Sequence, residues 1–169
     1  MPDMRPDALD VDPKTSRIVE AEPYPLSFDL STTALIIIDM QRDFLEPGGF
    51  GELLGNDVSL LRSTIEPTKD VLEAARSAGL TVIHTREGHR PDLMDAPPSK
   101  LARGNLDLGI GDEGPMGRIL VRGEEGHNII PELAPLANEP VVDKPGKGAF
   151  FETDLHLLLQ NKNIETIII

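Results

Sequence analysis

The segment from Thr33 to Asp39 constrains the fold more than any other part of the chain. Its sequence is Thr-Ala-Leu-Ile-Ile-Ile-Asp, a continuous apolar run rich in β-branched side chains that ends in a charge. Continuous apolar runs, unlike alternating ones, are typical of strands covered on both faces, as in parallel sheets flanked by helices. The run therefore predicts a central strand of an α/β protein, with Asp39 at its carboxyl end.

The segments that follow extend this pattern. A helix is predicted over 64–78, with Pro67 in its first turn and Gly79 just past its end, and a second strand over 80–85. Strand, helix and strand make a βαβ unit, whose crossover should be right-handed. Later elements are predicted to be a third strand over 140–143, a helix over 153–161 and a fourth strand over 165–169. The pattern favours a doubly wound parallel sheet with helices on both faces, a three-layer α/β/α fold.

The predicted domain organisation has two parts. Residues 1–30 contain five prolines and no clear period, which predicts an extended arm that is either disordered or lies across a neighbouring subunit. Residues 31–169 have the size of one domain. The fourth strand would normally lead into a loop and a covering helix. We therefore expect an incomplete domain whose C-terminal strands are missing, the alternative being a complete small domain with an unusual terminal strand.

Composition excludes several classes of function. The net charge of -13 argues against nucleic acid and anionic membranes as partners, because both require basic surfaces. The absence of cysteine excludes disulfides and thiolate metal sites among these residues. No apolar run is long enough for a transmembrane helix, and the first residues lack the apolar core of a secretory signal. A cytoplasmic location is the resulting expectation.

Two charged residues follow or end predicted strands. Asp39 ends the first, where a carboxylate serves either as a general base or as a cap of the next turn. Lys144 ends the third, and a lysine within hydrogen-bond range of Asp39 could lower the pKa of a group between them. The glycine-rich turn that follows lets the backbone approach a ligand, and Lys147 in this turn is a further candidate, although loop lysines are usually solvated.

Two other motifs are not predicted to be functional. Residues 109–114 match G-x-G-x-x-G, but no strand precedes them, no helix follows, and two acids would repel a pyrophosphate. His84 and His89 lack the partners of a metal site, and His84 is predicted to be a hydrogen-bonded histidine at the end of a strand. No metal or cofactor is therefore expected.

Three segments together resemble a known family. Residues 37–44 (Ile-Ile-Asp-Met-Gln-Arg-Asp-Phe) resemble the opening strand of the isochorismatase-like cysteine hydrolases, and residues 143–151 (Asp-Lys-Pro-Gly-Lys-Gly-Ala-Phe-Phe) resemble the lysine segment of that family. Residues 85–92 resemble its biuret hydrolase and ureidoacrylate amidohydrolase branch more than the nicotinamidases, whose zinc ligands are not matched. The resemblance spans about residues 20–169 and implies a six-stranded parallel sheet, of which four strands are present.

The resemblance also implies an activity and a site. The family uses an Asp-Lys-Cys triad to hydrolyse amide or ureido C–N bonds of small molecules through a thioester, without a cofactor. Asp39 and Lys144 match the first two members, whereas the sequence ends before the position expected for the cysteine. The family implies a homo-oligomer, a dimer or a tetramer. The candidate substrate-binding residues are Gln41, Phe44, Glu87 and Lys147.

A second hypothesis remains open at this stage. The 169-residue chain could be a catalytically inactive truncated remnant that acts only as a binding or assembly module. Since no side chain in the sequence can replace a thiolate, we expect no hydrolase activity from these 169 residues alone.

Overall fold

A computed structural model describes residues 15–102 and 108–169. The strands are β1 (Ser16–Val19), β2 (Leu26–Asp29), β3 (Thr33–Ile38), β4 (Thr81–Glu87), β5 (Glu113–Gly114), β6 (Gly117–Arg118), β7 (Val141–Lys144) and β8 (Thr166–Ile168). The α-helices are α1 (Arg42–Leu45), α2 (Phe50–Leu53), α3 (Val58–Arg62), α4 (Ile65–Ala78), α5 (Pro98–Leu101) and α6 (Leu155–Asn161).

The central sheet has four strands in the order β7-β4-β3-β8. All three neighbouring pairs are parallel, and the register aligns Ile38 of β3 with Thr85 of β4. The apolar run that predicted a covered strand forms β3, in which five of the six residues are buried. The parallel sheet flanked by helices confirms the predicted α/β fold class.

The direction of the chain through the sheet reverses at β3. From β3 the chain moves through β4 to β7, and then returns to pair β8 with the other side of β3. Because parallel crossovers are right-handed, this reversal puts α4 and α6, the helices of the two crossovers, on opposite faces. Ligands of open α/β sheets bind outside the carboxyl ends of the strands, next to such a reversal.

Alternate residues of β3 pack against the two helical layers. Leu35 and Ile37 belong to the core that contains Leu72 of α4, whereas Ala34 and Ile36 belong to the core that contains Leu155 of α6. Each face of the strand is therefore covered by a different helix. This double burial is the physical reason that the strand is apolar at every position rather than at every second one.

The boundaries of some helices and strands differ from the predictions. The helix predicted over 64–78 is α4, which ends at Gly79 in the left-handed conformation (φ 77°). The second helix begins at Leu155 rather than at 153, because Asp154 is its N-cap. The prediction that His84 ends a strand is wrong, since β4 continues to Glu87 and His84 is fully buried within it.

The remaining segments lie outside the sheet. Strands β1 and β2 pair with each other as an antiparallel hairpin in the second half of the predicted arm, whereas residues 1–14 lie outside the described residues. Between β4 and β7 the chain forms α5 and the two-residue strands β5 and β6. Residues 109–114 do not open a helix, as the sequence led us to expect. Within the described ranges no helix has the length and apolar character needed to cross a membrane.

Candidate active site

The carboxylate of Asp39 and the ammonium of Lys144 meet above the carboxyl ends of the strands. Lys144 Nζ lies 2.5 Å from Asp39 Oδ2, and it donates a further hydrogen bond to the main-chain oxygen of Gly146 at 3.0 Å. Only 2% of the Lys144 side chain is exposed, against 16% for Asp39. A charge this buried requires a charged partner, which Asp39 supplies.

The backbone at Asp39 turns sharply to bring its carboxylate into this position. Asp39 has φ 50°, in the left-handed region that aspartate tolerates better than most residues. Thr85 donates its hydroxyl hydrogen bond to Asp39 Oδ1 at 2.7 Å, and the Asp39 N–H is 3.2 Å from the Thr85 main-chain oxygen. Both carboxylate oxygens therefore have partners. Unfavourable backbone conformations of this kind concentrate at functional sites.

Glu87 is a second carboxylate near Lys144. Its Oε2 lies 3.6 Å from Lys144 Nζ, and its Oε1 lies 2.6 Å from the Nζ of Lys100. Burial by itself would raise the pKa of Glu87, but the hydrogen bond and charge of Lys100 and the charge of Lys144 outweigh burial and lower that pKa below its usual value. Asp39, Lys144, Glu87 and Lys100 form a row of alternating charges, which we call the charge row.

Gln41 bonds to the main chain next to the charge row. It is fully buried, and its amide nitrogen donates to the main-chain oxygens of Glu87 at 2.9 Å and of His127 at 3.0 Å. Its amide oxygen accepts the N–H of Glu87 at 2.7 Å. These bonds join the end of β4 to the loop that contains His127. In this structure Gln41 is thus bonded to the main chain that positions Glu87.

The side chains of the other two candidate residues make no hydrogen bond or ion pair with the charge row. Phe44 is half-buried and meets Phe50 edge to face, with ring centroids 6.3 Å apart. Lys147 is exposed and lines a surface cavity of about 260 Å³ together with Lys100 and Phe151. The structure therefore brings together Asp39, Lys144, Glu87 and Gln41, and it shows no side-chain hydrogen bond or ion pair between Phe44 or Lys147 and these residues.

Three neighbouring groups were not anticipated from the sequence. Thr85 could have been found, because parallel register puts the end of β4 beside the end of β3. Lys100 lies in a stretch without periodicity, and no signal pointed to it. His127 is 1% exposed, and neither ring nitrogen has a hydrogen-bond partner. Burial, together with the charge of Arg86, lowers its pKa to about 4, against the opposing effect of Asp143.

No metal centre is formed by the described residues. Within 15–102 and 108–169, no three histidine, aspartate or glutamate side chains come close enough together to hold an ion. The buried histidines have separate surroundings. His84 Nε2 lies 3.0 Å from Glu139 Oε2, and His89 Nδ1 lies 3.2 Å from Asp95 Oδ1. The candidate site presents the Asp39 carboxylate in contact with the buried ammonium of Lys144.

The parallel sheet with helices on both faces defines an open α/β protein, and the Asp39–Lys144 pair lies at the carboxyl edge, where such proteins bind ligands. The isochorismatase domain model matches residues 33–169, and the chain belongs to that family. The family expectation drawn from the sequence is thereby confirmed.

Relatives within the family are longer than this chain. The ureidoacrylate amidohydrolase RutB of Yersinia enterocolitica is 34% identical over 155 residues, which cover 89% of this chain and 67% of that protein. RutB of Azorhizobium caulinodans is 30% identical, with coverage of 89% and 68%. The chain thus spans about two thirds of the length of these relatives.

Solved structures give the same picture. A cysteine hydrolase from Pseudomonas syringae pv. phaseolicola superposes with a TM-score of 0.64 at 28% identity, covering 83% of this chain and 59% of that one. An isochorismatase family protein from Desulfovibrio vulgaris has a TM-score of 0.60 at 30% identity, covering 80% and 64%. Over the part that these matches cover, the fold is therefore that of the corresponding part of these proteins.

Proposed function

We propose that this chain supplies the aspartate and the lysine of a cysteine-dependent amidohydrolase that acts on the C–N bond of a small linear amide or ureido compound. The observation that carries the proposal is the 2.5 Å contact between Lys144 Nζ and Asp39 Oδ2 at the carboxyl edge of the sheet. The RutB relatives, named for ureidoacrylate, favour a ureido substrate over an aromatic amide. Biuret is the alternative substrate of the same kind.

In the proposed reaction, Asp39 accepts the proton of a cysteine thiol, and the positive charge of Lys144 stabilises the thiolate. The thiolate attacks the carbonyl carbon, and the C–N bond breaks as Asp39 returns the proton to the leaving nitrogen. Water then hydrolyses the thioester and regenerates the thiol. The 169 residues contain no cysteine, and we propose that the nucleophile belongs to a part of the protein beyond Ile169.

The buried pair suits this chemistry for an electrostatic reason. A carboxylate and an ammonium held in contact by Thr85 and by the Gly146 carbonyl are oriented before a substrate arrives. Charges that are already oriented in a site of low water content need little reorganisation during the reaction. Gln41, Phe44, Glu87 and Lys147 stay candidate substrate-binding residues in this proposal.

The test is to sequence the gene past the codon of Ile169 and to assay the encoded protein. We expect a cysteine soon after β8 and ammonia release from ureidoacrylate or biuret. The variants Asp39→Asn and Lys144→Met should lower kcat by about 10³-fold or more, because members of a catalytic triad act as a unit. A continuation without cysteine, or full activity in Asp39→Asn, would contradict the proposal.

The second candidate function is one that requires no nucleophile. In this alternative, the chain is the mature product and acts as a non-catalytic binding or assembly module. The intact mass from the native source separates the two proposals. A mass near 18.4 kDa would favour the module, and a clearly larger mass would remove it. The proposed homo-oligomer, a dimer or a tetramer, can be tested on the same sample by light scattering.

A further inference from the structure

Lys100 is a largely buried lysine, 12% exposed at its side chain, that the proposed chemistry does not use. Its Nζ lies 2.6 Å from Glu87 Oε1 and 2.9 Å from the main-chain oxygen of Pro145. Lysines are rarely buried to this degree without a specific partner, because removing the ammonium from water costs free energy. This lysine therefore has a defined place in the site rather than a solvated one.

The helix that carries Lys100 is not one of the two crossover helices that cover the sheet. Helix α5 (Pro98–Leu101) is a single turn that begins with a proline and lies in the excursion between β4 and β7. Its lysine reaches both Glu87, the last residue of β4, and Pro145, which follows the last residue of β7. One side chain thus ties two neighbouring strand ends together at the edge where the candidate site is formed.

Glu87 and Asp39 are competing partners for one ammonium. Lys144 Nζ is 2.5 Å from Asp39 but 3.6 Å from Glu87, beyond hydrogen-bond distance. Both carboxylates attract the Lys144 ammonium. Lys144 stays paired with Asp39 only while Glu87 is paired with another cation. Lys100 is that partner at 2.6 Å. Without it, Glu87 would be a buried carboxylate next to a single ammonium and would move towards it.

We propose that Lys100 is a positioning residue, which holds Glu87 away from Lys144 so that the Lys144 ammonium stays paired with Asp39. Its catalytic consequence rests on the proposed amidohydrolase function, whereas the geometric consequence does not. Removal of the Lys100 charge should draw Lys144 towards Glu87 and lengthen its contact with Asp39. The lowered pKa of Glu87 is consistent with Lys100 as its principal partner.

The geometric test compares Lys100→Met with Lys100→Arg and with the control Lys162→Met, which removes an exposed lysine at the end of α6. Crystal structures should show Lys144 Nζ within hydrogen-bond distance of Glu87 in Lys100→Met only. The carboxyl carbon of Glu87, followed by NMR, should titrate at higher pH in that variant and as in the unsubstituted protein in the other two. An unchanged Lys144–Asp39 contact in Lys100→Met would overturn the inference.

A double variant keeps the test decisive even if Lys100→Met folds poorly. In Glu87→Gln/Lys100→Met the competing carboxylate is gone, so Lys144 should return to Asp39 and thermal stability should recover relative to Lys100→Met. If Lys100 acted merely as packing, the second substitution would restore neither property. Failure of the double variant to restore the contact would therefore also contradict the proposal.

The catalytic consequence is measured on the full-length protein. Lys100→Met should lower kcat by about 10- to 100-fold with little change in KM, because misplacing a reacting group acts on the chemical step. Lys100→Arg should retain most of the activity. If the geometric shift occurs but the unsubstituted protein hydrolyses no amide, the proposed function fails and the positioning role stands. If the shift occurs and kcat is unchanged, the catalytic part of the inference is overturned.

Discussion

The Nζ atom of Lys144 lies 2.5 Å from Oδ2 of Asp39, although β4 separates the two strands that these residues end. The long lysine side chain reaches across the end of β4, past Thr85 and Glu87, to a carboxylate that the left-handed backbone of Asp39 turns towards it. Because the pair is buried, its two charges should be energetically coupled.

A double-mutant cycle on urea unfolding measures this coupling. Asp39→Asn should lower the free energy of unfolding by about 3 kcal/mol, since the buried ammonium then keeps only the Gly146 carbonyl and its longer contact to Glu87. Asp39→Asn/Lys144→Met should recover part of that loss, giving a coupling of about 1–3 kcal/mol. The matched control is the exposed pair Arg90 and Asp92, whose side chains are 59% and 48% exposed. The control pair should show no measurable coupling, and equal coupling in both pairs would contradict the prediction.

His127 should make the fold sensitive to acid. Its pKa is lowered from the ordinary value of 6.5 to about 4 in the folded protein. The unfolded chain therefore binds the proton more readily than the folded protein does. The contribution of neutral His127 to the free energy of unfolding is fully present above pH 6.5 and is lost as the pH falls towards 4. The expected slope is about 1.4 kcal/mol per pH unit for one proton. Lowered pKa values of His84 and His89 act in the same direction.

The measurement is urea unfolding of His127→Gln between pH 7 and pH 4. The variant should lose less stability over this range than the unsubstituted protein, whatever its stability at pH 7. His156→Gln removes the exposed histidine of α6 and should leave the pH dependence unchanged. Parallel curves for His127→Gln and the unsubstituted protein would show that His127 is not the titrating group.

Glu139 should affect the free energy of unfolding at a lower pH than His127 does. It accepts two hydrogen bonds from Arg76 at 2.7 Å, one from the Leu136 N–H at 2.8 Å, and lies 3.0 Å from His84 Nε2. Burial would raise its pKa, but Arg76, the Leu136 N–H and His84 together lower it to about 2, from 4.5. A depressed carboxylate pKa stabilises the fold above pH 4.5, and this contribution is lost as the pH falls towards 2.

Glu139→Gln should therefore lower the free energy of unfolding by on the order of 2 kcal/mol at pH 7 and by less at pH 3. At pH 3 the Glu139 carboxylate of the unsubstituted protein has already lost part of its stabilising effect. Urea unfolding at pH 7, 5, 4 and 3 checks this trend. Glu20→Gln, at an exposed position after β1, is the control and should have no effect. A penalty for Glu139→Gln that is constant from pH 7 to pH 3 would refute the assignment.

The central sheet and the proximity of Asp39 and Lys144 could be predicted because both follow from simple rules. A strand buried on both faces must be apolar throughout, which makes β3 visible in the sequence. Carboxyl ends of parallel strands share one edge, so residues that close two strands lie near each other. The catalytic roles of Asp39 and Lys144 are not contained in this proximity and stay a proposal.

The contributions of Lys100 and His127 could not be predicted, because both residues lie in the segment between β4 and β7. That segment has no periodicity, and its position is fixed by individual bonds, such as those of Gln41 to the main chain at Glu87 and His127. Lys100 reaches the site from a single helical turn, which a sequence pattern does not reveal. Side-chain bonds of this kind depend on the tertiary fold, and sequence reasoning has no local signal for them.

Asp43 shows how closely this segment is packed against the site. It is 2% exposed, and its Oδ2 accepts the N–H of Leu120 at 2.9 Å. Burial raises its pKa, and the Leu120 N–H opposes that shift. A β-carbon added at Gly126 would lie 2.2 Å from Oδ1 and 2.6 Å from Cγ of Asp43. Gly126 is therefore required by the close approach of the Asp43 carboxylate rather than by an unusual φ.

Gly126→Ala should lower the free energy of unfolding by about 1–3 kcal/mol, because the new methyl group forces the Asp43 carboxylate away from the Leu120 N–H. Gly148→Ala is the matched control, since a β-carbon at Gly148 meets no atom within 4 Å. The control should be neutral or slightly stabilising, because alanine restricts the unfolded chain. Urea unfolding of the two variants decides the question, and an equal effect at both positions would mean that the Gly126 contact does not constrain the fold.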